Sequence, residues 1–244
     1  TGNENVAVGI SALTTNQTGV ANTAVGGFAL RYNVGSSNSA VGHAALQANT
    51  TGIDNIAMGR GALTSNTTGS QNTGLGFGAL SNITTGTGST AVGRNALNQN
   101  TASGITAIGT RALESNTTGG YNTAVGNQAL IANTTSNNNT AVGYDALNDN
   151  TDGSENTAIG SFALDKNTTA DNVTAVGYNS LGANISGDDN TAVGMNAMAI
   201  NTTGAQNVAV GKGALDANSS ASHNVAVGSA ALGANTTGGG NVAV

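Results

Sequence analysis

A 17-residue repeat runs through the whole chain and constrains its fold more than any other feature. Each copy reads Asn, Thr or Val, Ala, Val, Gly, two variable residues, Ala, Leu, two variable residues, Asn, Thr, Thr, Gly and two more variable residues. We number the positions of a copy 0 to 16, starting at the opening Asn. Copies open from residue 5 to residue 241, and 12 of the 14 intervals are 17 residues while two are 16. A period this short and regular is typical of a solenoid, in which each repeat forms one coil.

The composition fits paired strands around a thin core. Aromatic residues make up 3% and charged residues 7% of the chain, so small aliphatic residues must form the core. There is no proline, which would remove a donor from a strand ladder, and no cysteine for a disulfide or a thiolate metal site. The net charge is −6 and the six Lys and Arg are scattered, so we expect no nucleic-acid partner. No apolar run approaches the ~18 residues of a membrane helix, so we expect no membrane contact within this segment.

The first half of each copy predicts a strand. β-branched residues occupy positions 1 and 3 with Ala between them, which is the alternation of a strand, and Gly ends the strand at position 4 in every full copy. We predict that the position 3 side chains, such as Val125, point into the coil. The position 2 alanines then lie on its outside.

The Ala-Leu half predicts a second, shorter strand whose Leu, such as Leu130, also points inward. A one-turn helix is the alternative, although five or six residues leave little room for one. Asn-Thr-Thr-Gly then forms a turn, and both one-residue deletions fall in or near this turn. The predicted fold class is all-β: a parallel β-solenoid, or β-roll, of about 14 coils with two short strands per coil. It covers residues 1–244 as one repetitive segment.

The Ala column suggests self-association. It is narrow, apolar and continuous, and parallel sheets are rarely left with a face in water. We therefore predict a homotrimer whose subunits meet at the following alanines: Ala24, Ala40, Ala57, Ala91, Ala107, Ala124, Ala141, Ala158, Ala175, Ala192, Ala209 and Ala226.

The segments Asn-Val-Ala-Val-Gly at 207–211 and 224–228, with Asn-Thr-Ala-Val-Gly elsewhere, resemble the head repeats of trimeric autotransporter adhesins. Similar 17-residue units with Ala-Leu and Asn-Thr-Thr-Gly occur in phage tail-fibre proteins. The resemblance implies a left-handed parallel β-roll, a homotrimer, and an extracellular location on a cell surface or virion. It implies a structural role as a rigid spacer and attachment surface. Because the chain begins and ends inside the repeat frame, we expect a segment of a longer fibre.

The candidate binding residues are aromatic. Five of the seven aromatic residues occupy the two variable positions after the Gly: Phe28, Phe77, Tyr144, Phe162 and Tyr178. Such side chains beside polar groups suit a host-surface glycan or protein receptor. The alternative is that they cover the roll edge or pack against a neighbouring chain.

The Asn and Thr columns each allow two interpretations. The Asn-X-Ser/Thr sites could accept glycans, but stacked Asn side chains more commonly form hydrogen-bonded ladders. The Thr pair could form an ice-binding face or simply a solvated turn, so an ice-binding or glycan-binding solenoid is the alternative function. His43 and His223 lie in unrelated columns, and no metal, cofactor or catalytic constellation recurs. We therefore expect no enzymatic activity.

Overall fold

The chain is a parallel β-solenoid of about 14 turns, as the repeat predicts. The computed structural model describes residues 2–244, and the chain divides into two compact units, Thr1–Tyr121 and Asn122–Val244. Within residues 2–244 the secondary structure consists of short strands and turns without a helix.

Each coil contributes one strand at frame positions 1 to 3. The first unit contains β1 (Val6–Val8), β2 (Thr23–Val25), β3 (Ser39–Val41), β4 (Ile56–Met58), β5 (Thr73–Leu75), β6 (Thr90–Val92) and β7 (Thr106–Ile108). The second unit contains β8 (Thr123–Val125), β9 (Thr140–Val142), β10 (Thr157–Ile159), β11 (Thr174–Val176), β12 (Thr191–Val193), β13 (Val208–Val210), β14 (Val225–Val227) and β15 (Val242–Ala243). Within each unit, successive strands pair in parallel so that each residue lies opposite its equivalent, as Ala158 does opposite Ala175. Equivalent side chains therefore form columns along each unit.

The Ala-Leu half is a series of turns, so the prediction of a second strand was wrong. The backbone of this half turns left-handed at positions 6 and 8, as at Gln128 (φ 58°) and Leu130 (φ 53°), and an extended strand cannot contain these angles. The coils nevertheless remain hydrogen-bonded to one another here, since the Leu130 amide donates to the Ala146 carbonyl at 3.0 Å. The Leu column faces inward as predicted, and Leu130 is fully buried.

The position 2 and position 3 columns are exchanged relative to the prediction. The 12 alanines named as trimer-facing are each 0–1% exposed within the single chain, so they cannot form an intersubunit surface. The position 3 column faces outward, and Val193, Val210 and Val227 are each 37% exposed. The reason is the opening Asn: its side chain is buried, and strand alternation places the residue two positions later on the same side. The thin interior accepts the small Ala, whereas Val lies on the outer face.

Position 4 requires glycine for two independent reasons. Gly26 has a φ of 132°, which L side chains rarely adopt, and an added Cβ would lie 2.5 Å from the carbonyl oxygen of Gly42 in the next coil. The neighbouring Gly27 has neither constraint, because the nearest atom to its added Cβ is a His43 ring carbon at 3.6 Å.

We expect Gly26→Ala to lower the free energy of unfolding by roughly 1–3 kcal/mol, because it adds backbone strain and a contact with the next coil. Gly27→Ala is the matched control and should change stability by less than about 0.5 kcal/mol. Urea unfolding, followed by amide exchange in the flanking coils, measures both. Equal stability of the two variants would contradict this account of position 4.

Candidate functional site

Buried asparagines form two columns whose side chains hydrogen-bond within a coil and to the neighbouring coils. These bonds confirm the ladder interpretation. Asn201 donates from Nδ2 to Asn184 Oδ1 in the preceding coil at 3.0 Å and to the Gly204 carbonyl at 2.9 Å. Asn190, from the strand side of the same coil, donates to that Gly204 carbonyl at 2.6 Å. Its Oδ1 accepts the Asn207 amide of the next coil at 2.9 Å. One turn carbonyl therefore joins the two columns across the coil.

Ile83 interrupts the second column. Asn66 Nδ2 donates to Asn49 Oδ1 at 2.7 Å. The equivalent position in the next coil is the buried Ile83, whose side chain has no donor for Asn66 Oδ1. Among residues 2–244, Asn66 Oδ1 is the buried side-chain atom left without a hydrogen-bond partner. This break costs free energy, because a buried acceptor loses water without gaining a donor.

The ladder also limits glycosylation. Most Asn-X-Ser/Thr asparagines belong to the second column, where their amides are buried and hydrogen-bonded, as in Asn184 and Asn201. Asn82, Asn138 and Asn172 differ, because all three are exposed outside the column. A modifying enzyme could reach these three side chains in the folded protein.

The Thr-Thr turn is not a free hydroxyl face. The first Thr of the pair donates its hydroxyl to the equivalent carbonyl of the next coil, as Thr67 does to Thr84 at 3.0 Å and Thr202 does to Ser219 at 2.9 Å. These hydroxyls hold the coils together, so the Thr-Thr turn is a weaker candidate for ice binding than the sequence suggested.

The outer sheet face, formed by the strands of each unit, is a regular surface. It presents position 1, mostly Thr, and position 3, mostly Val or Ile, from every strand. No charged residue occupies either position along the chain. Met58 is 53% exposed and Ile159 is 41% exposed, so the face is partly apolar. This face was not predicted from the sequence, because the Val column was expected to point into the coil.

Three of the five predicted aromatic residues form a continuous strip in the second unit. Tyr144, Phe162 and Tyr178 come from successive coils, with ring centroids 5.4 and 5.9 Å apart and the rings nearly perpendicular. Tyr144 is 48% and Tyr178 is 53% exposed. We call these three residues the aromatic strip. Perpendicular neighbours are a favourable ring geometry, and they leave both outer rings accessible to solvent.

Polar side chains of the same turns lie beside the strip. Asn148 donates to Asp145 Oδ1 at 3.0 Å, and Lys166 lies 3.0 Å from Asp149 Oδ2 and 3.2 Å from Asp165 Oδ2. The charge of Asp145 and a hydrogen bond to it raise the pKa of Tyr144, so the phenol stays protonated. Burial raises the pKa of Asp165, and Lys166 partly opposes that shift.

The two remaining predicted aromatics belong to separate clusters in the first unit. Phe28 meets the His43 ring edge-on at 5.5 Å, and the Arg31 guanidinium lies 5.3 Å from the Phe28 ring centroid. Phe77 has the Arg60 guanidinium at 5.4 Å. These contacts occupy part of each ring. Whether any of the five aromatics binds a receptor stays a prediction.

Across residues 2–244 there is neither a pocket nor a group of three His, Cys, Asp or Glu placed to hold a metal ion. In the same residues, no helix is long and apolar enough to cross a membrane. The accessible features are therefore surfaces: the outer sheet face and the aromatic strip.

Comparison of the chain with protein-family models found no match, and comparison with curated proteins found none either.

We expect Ile83→Asn to raise the free energy of unfolding by about 1 kcal/mol, because the introduced amide would donate to Asn66 Oδ1 and rejoin the column. The reciprocal change is Asn184→Ile, which removes the donor to Asn167 Oδ1 and should cost about 1–3 kcal/mol. Urea denaturation compares the two variants with the parent. If both changes shift stability in the same direction, the buried ladder is not the stabilising element.

Proposed function

We propose that this chain is a structural segment of an extracellular fibre, of the trimeric adhesin or phage tail-fibre kind, acting as a rigid spacer and attachment surface. The observation that carries the proposal is the continuous bonding between coils. Strand ladders and turn ladders connect each coil to the next within each unit, and two asparagine columns add further bonds between most coils. Such an element grows by adding coils and contains few mobile loops, which suits a spacer and leaves no evident place for catalysis.

The fibre assembles as a homotrimer through the outer sheet face. Partly exposed Val, Ile, Leu or Met side chains repeat on this face at every coil, and contiguous exposed apolar surfaces mark interaction sites. Strands along a unit are about 4.8 Å apart, so a partner must repeat at the same spacing to contact every strand equally. A second copy of this chain has that spacing, because it has the same repeat and the same strands. The proposed trimer is therefore still formed by copies of this chain, but its subunits meet at the Val column and not at the Ala column.

Substitutions on adjacent residues of the same strands test this assembly. Val142→Lys with Val176→Lys should reduce the mass from trimer to monomer and leave the circular dichroism unchanged, because both side chains point outward. Ala141→Lys with Ala175→Lys should unfold the coils, since it buries two unpaired ammonium groups. Sedimentation equilibrium and circular dichroism measure the two effects.

A parent protein that sediments as a monomer would overturn the homotrimer. So would a trimer that tolerates both Val changes. Asn127→Lys, at an exposed position in the turn after the strand, serves as a surface control and should leave the mass unchanged.

The same face supports a second candidate function. It carries a regular Thr column beside the Val column, including Thr123, Thr140 and Thr157 in the second unit, and regularly repeating Thr side chains suit an ice surface. The two functions exclude each other, because a covered face cannot meet ice.

The expected outcome for a fibre is no thermal hysteresis in dilute solution, measured by nanolitre osmometry. A monomer with clear hysteresis that is lost in Thr140→Lys with Thr174→Lys would establish ice binding and reject the fibre role.

A further inference from the structure

We propose that the aromatic strip, Tyr144, Phe162 and Tyr178, together with the polar side chains beside it, is a binding site for a neutral oligosaccharide. The proposal does not rest on the fibre role, because the strip lies in the turn after the strand and belongs to one chain.

The strip is a local exception in a repetitive molecule. At the same turn positions other coils carry Gly61, Asn95 or Ala44, and these coils close equally well. The Ala and Leu columns beneath the strip are fully buried in every coil it spans. The core therefore does not need these rings. A contact made for assembly would recur with the repeat, as the outer sheet face does, whereas the strip occupies three successive coils.

Phe162 adds an energetic argument. Its φ is 60°, in the left-handed region where glycine and asparagine are favoured and a bulky side chain is strained. The position accepts Asn179 and Asn196 in the two following coils, where φ is 52° and 57°. The repeat imposes a positive φ at this position, as at Phe28 (φ 63°), so the strain at Phe162 supports a surface role only together with its place in the strip.

The chemistry around the rings selects the ligand. A sugar ring presents an apolar face of C–H groups that stacks on aromatic rings, and hydroxyls around its edge that need hydrogen-bond partners. Asp145 and Asn148 supply such partners in the coil of Tyr144, and Asp165 and Lys166 supply them in the coil of Phe162. The strip is open and not enclosed, since residues 2–244 form no pocket. An extended chain of sugars therefore fits better than a single small molecule.

The local charge excludes anionic sugars. The second unit contains nine Asp and Glu but only Lys166 and Lys212 as cations, and three carboxylates lie near the strip. Sulfated or uronic-acid chains would be repelled at low ionic strength. A neutral chain is not repelled, and its hydroxyls can donate to the carboxylates.

The test uses native gels that contain a soluble polysaccharide. We expect neutral galactomannan or xyloglucan to retard the full-length protein, while polygalacturonate does not. The variant Tyr144→Ala with Phe162→Ala and Tyr178→Ala should bind about tenfold more weakly or not at all. The control variant Phe77→Ala with Tyr121→Ala removes two exposed aromatics outside the strip and should be retarded like the parent.

Two further readouts and one replacement variant keep the result specific. Circular dichroism must show that the triple variant remains folded, as its buried core predicts. If it does not, Tyr178→Ala alone serves in its place, because that ring is exposed and lies at the end of the strip. Two of the four tyrosines lie in the strip, so adding the retarding galactomannan or xyloglucan in solution should change tyrosine fluorescence in the parent but not in the triple variant.

The proposal is overturned if none of the neutral polysaccharides retards the protein, if only polygalacturonate or the cationic polymer chitosan does, or if the folded strip variant binds like the parent. The fibre proposal stands or falls separately, because it depends on the mass of the assembly and not on retardation.

Discussion

The carbonyl of the Thr-Thr-Gly turn, bonded by two buried asparagines, is the interaction on which the coil depends. In one coil the Gly204 carbonyl accepts Asn190 from the strand side and Asn201 from the turn side. A buried amide must find both its donor and its acceptor partners, and here the adjacent coils supply them. The ladder therefore closes each coil and also fixes its register against the next one. Hydrophobic burial alone could not do this, because alanine columns slide past one another at little cost.

The one-residue deletions show how the ladder tolerates change. In the short coil at residues 22–37, Asn33 still donates to a turn carbonyl, now that of Gly35 two residues on, at 2.8 Å. In the short coil at residues 89–104, Asn100 does the same with Ala102. The lost residue comes from the Thr pair, so the carbonyl keeps its place between the columns. The repeat length can vary by one residue where the turn, and not the ladder, absorbs the difference.

The fold was predictable from the repeat. Which columns of the strand face inward and which face outward was not, because successive strand residues alternate between two faces. Alternation divides a strand into two faces without saying which is buried, and hydrophobicity favoured Val125 over Ala124. The buried opening Asn resolves the ambiguity, because Ala124 shares the face of Asn122. That inference was available from the sequence once the Asn column was interpreted as a ladder. The left-handed Leu turn was not available, since leucine has no preference for positive φ and is held there by burial and the next coil.

The candidate site was likewise only partly predictable from the sequence. Columns in the sequence placed Tyr144, Phe162 and Tyr178 in one turn, but only coordinates show that their rings touch while Phe77 pairs with Arg60. This difference follows from how a solenoid is built. Residues that recur in every copy are required to form the coil, so their identity indicates the fold. Residues that break the pattern report on strain where they are buried, as Ile83 does by leaving Asn66 Oδ1 unpaired. Where they are exposed and clustered, the core of the coil does not require them. In a molecule made of near-identical coils, a surface exception shared by three neighbouring coils is therefore the place to look for recognition.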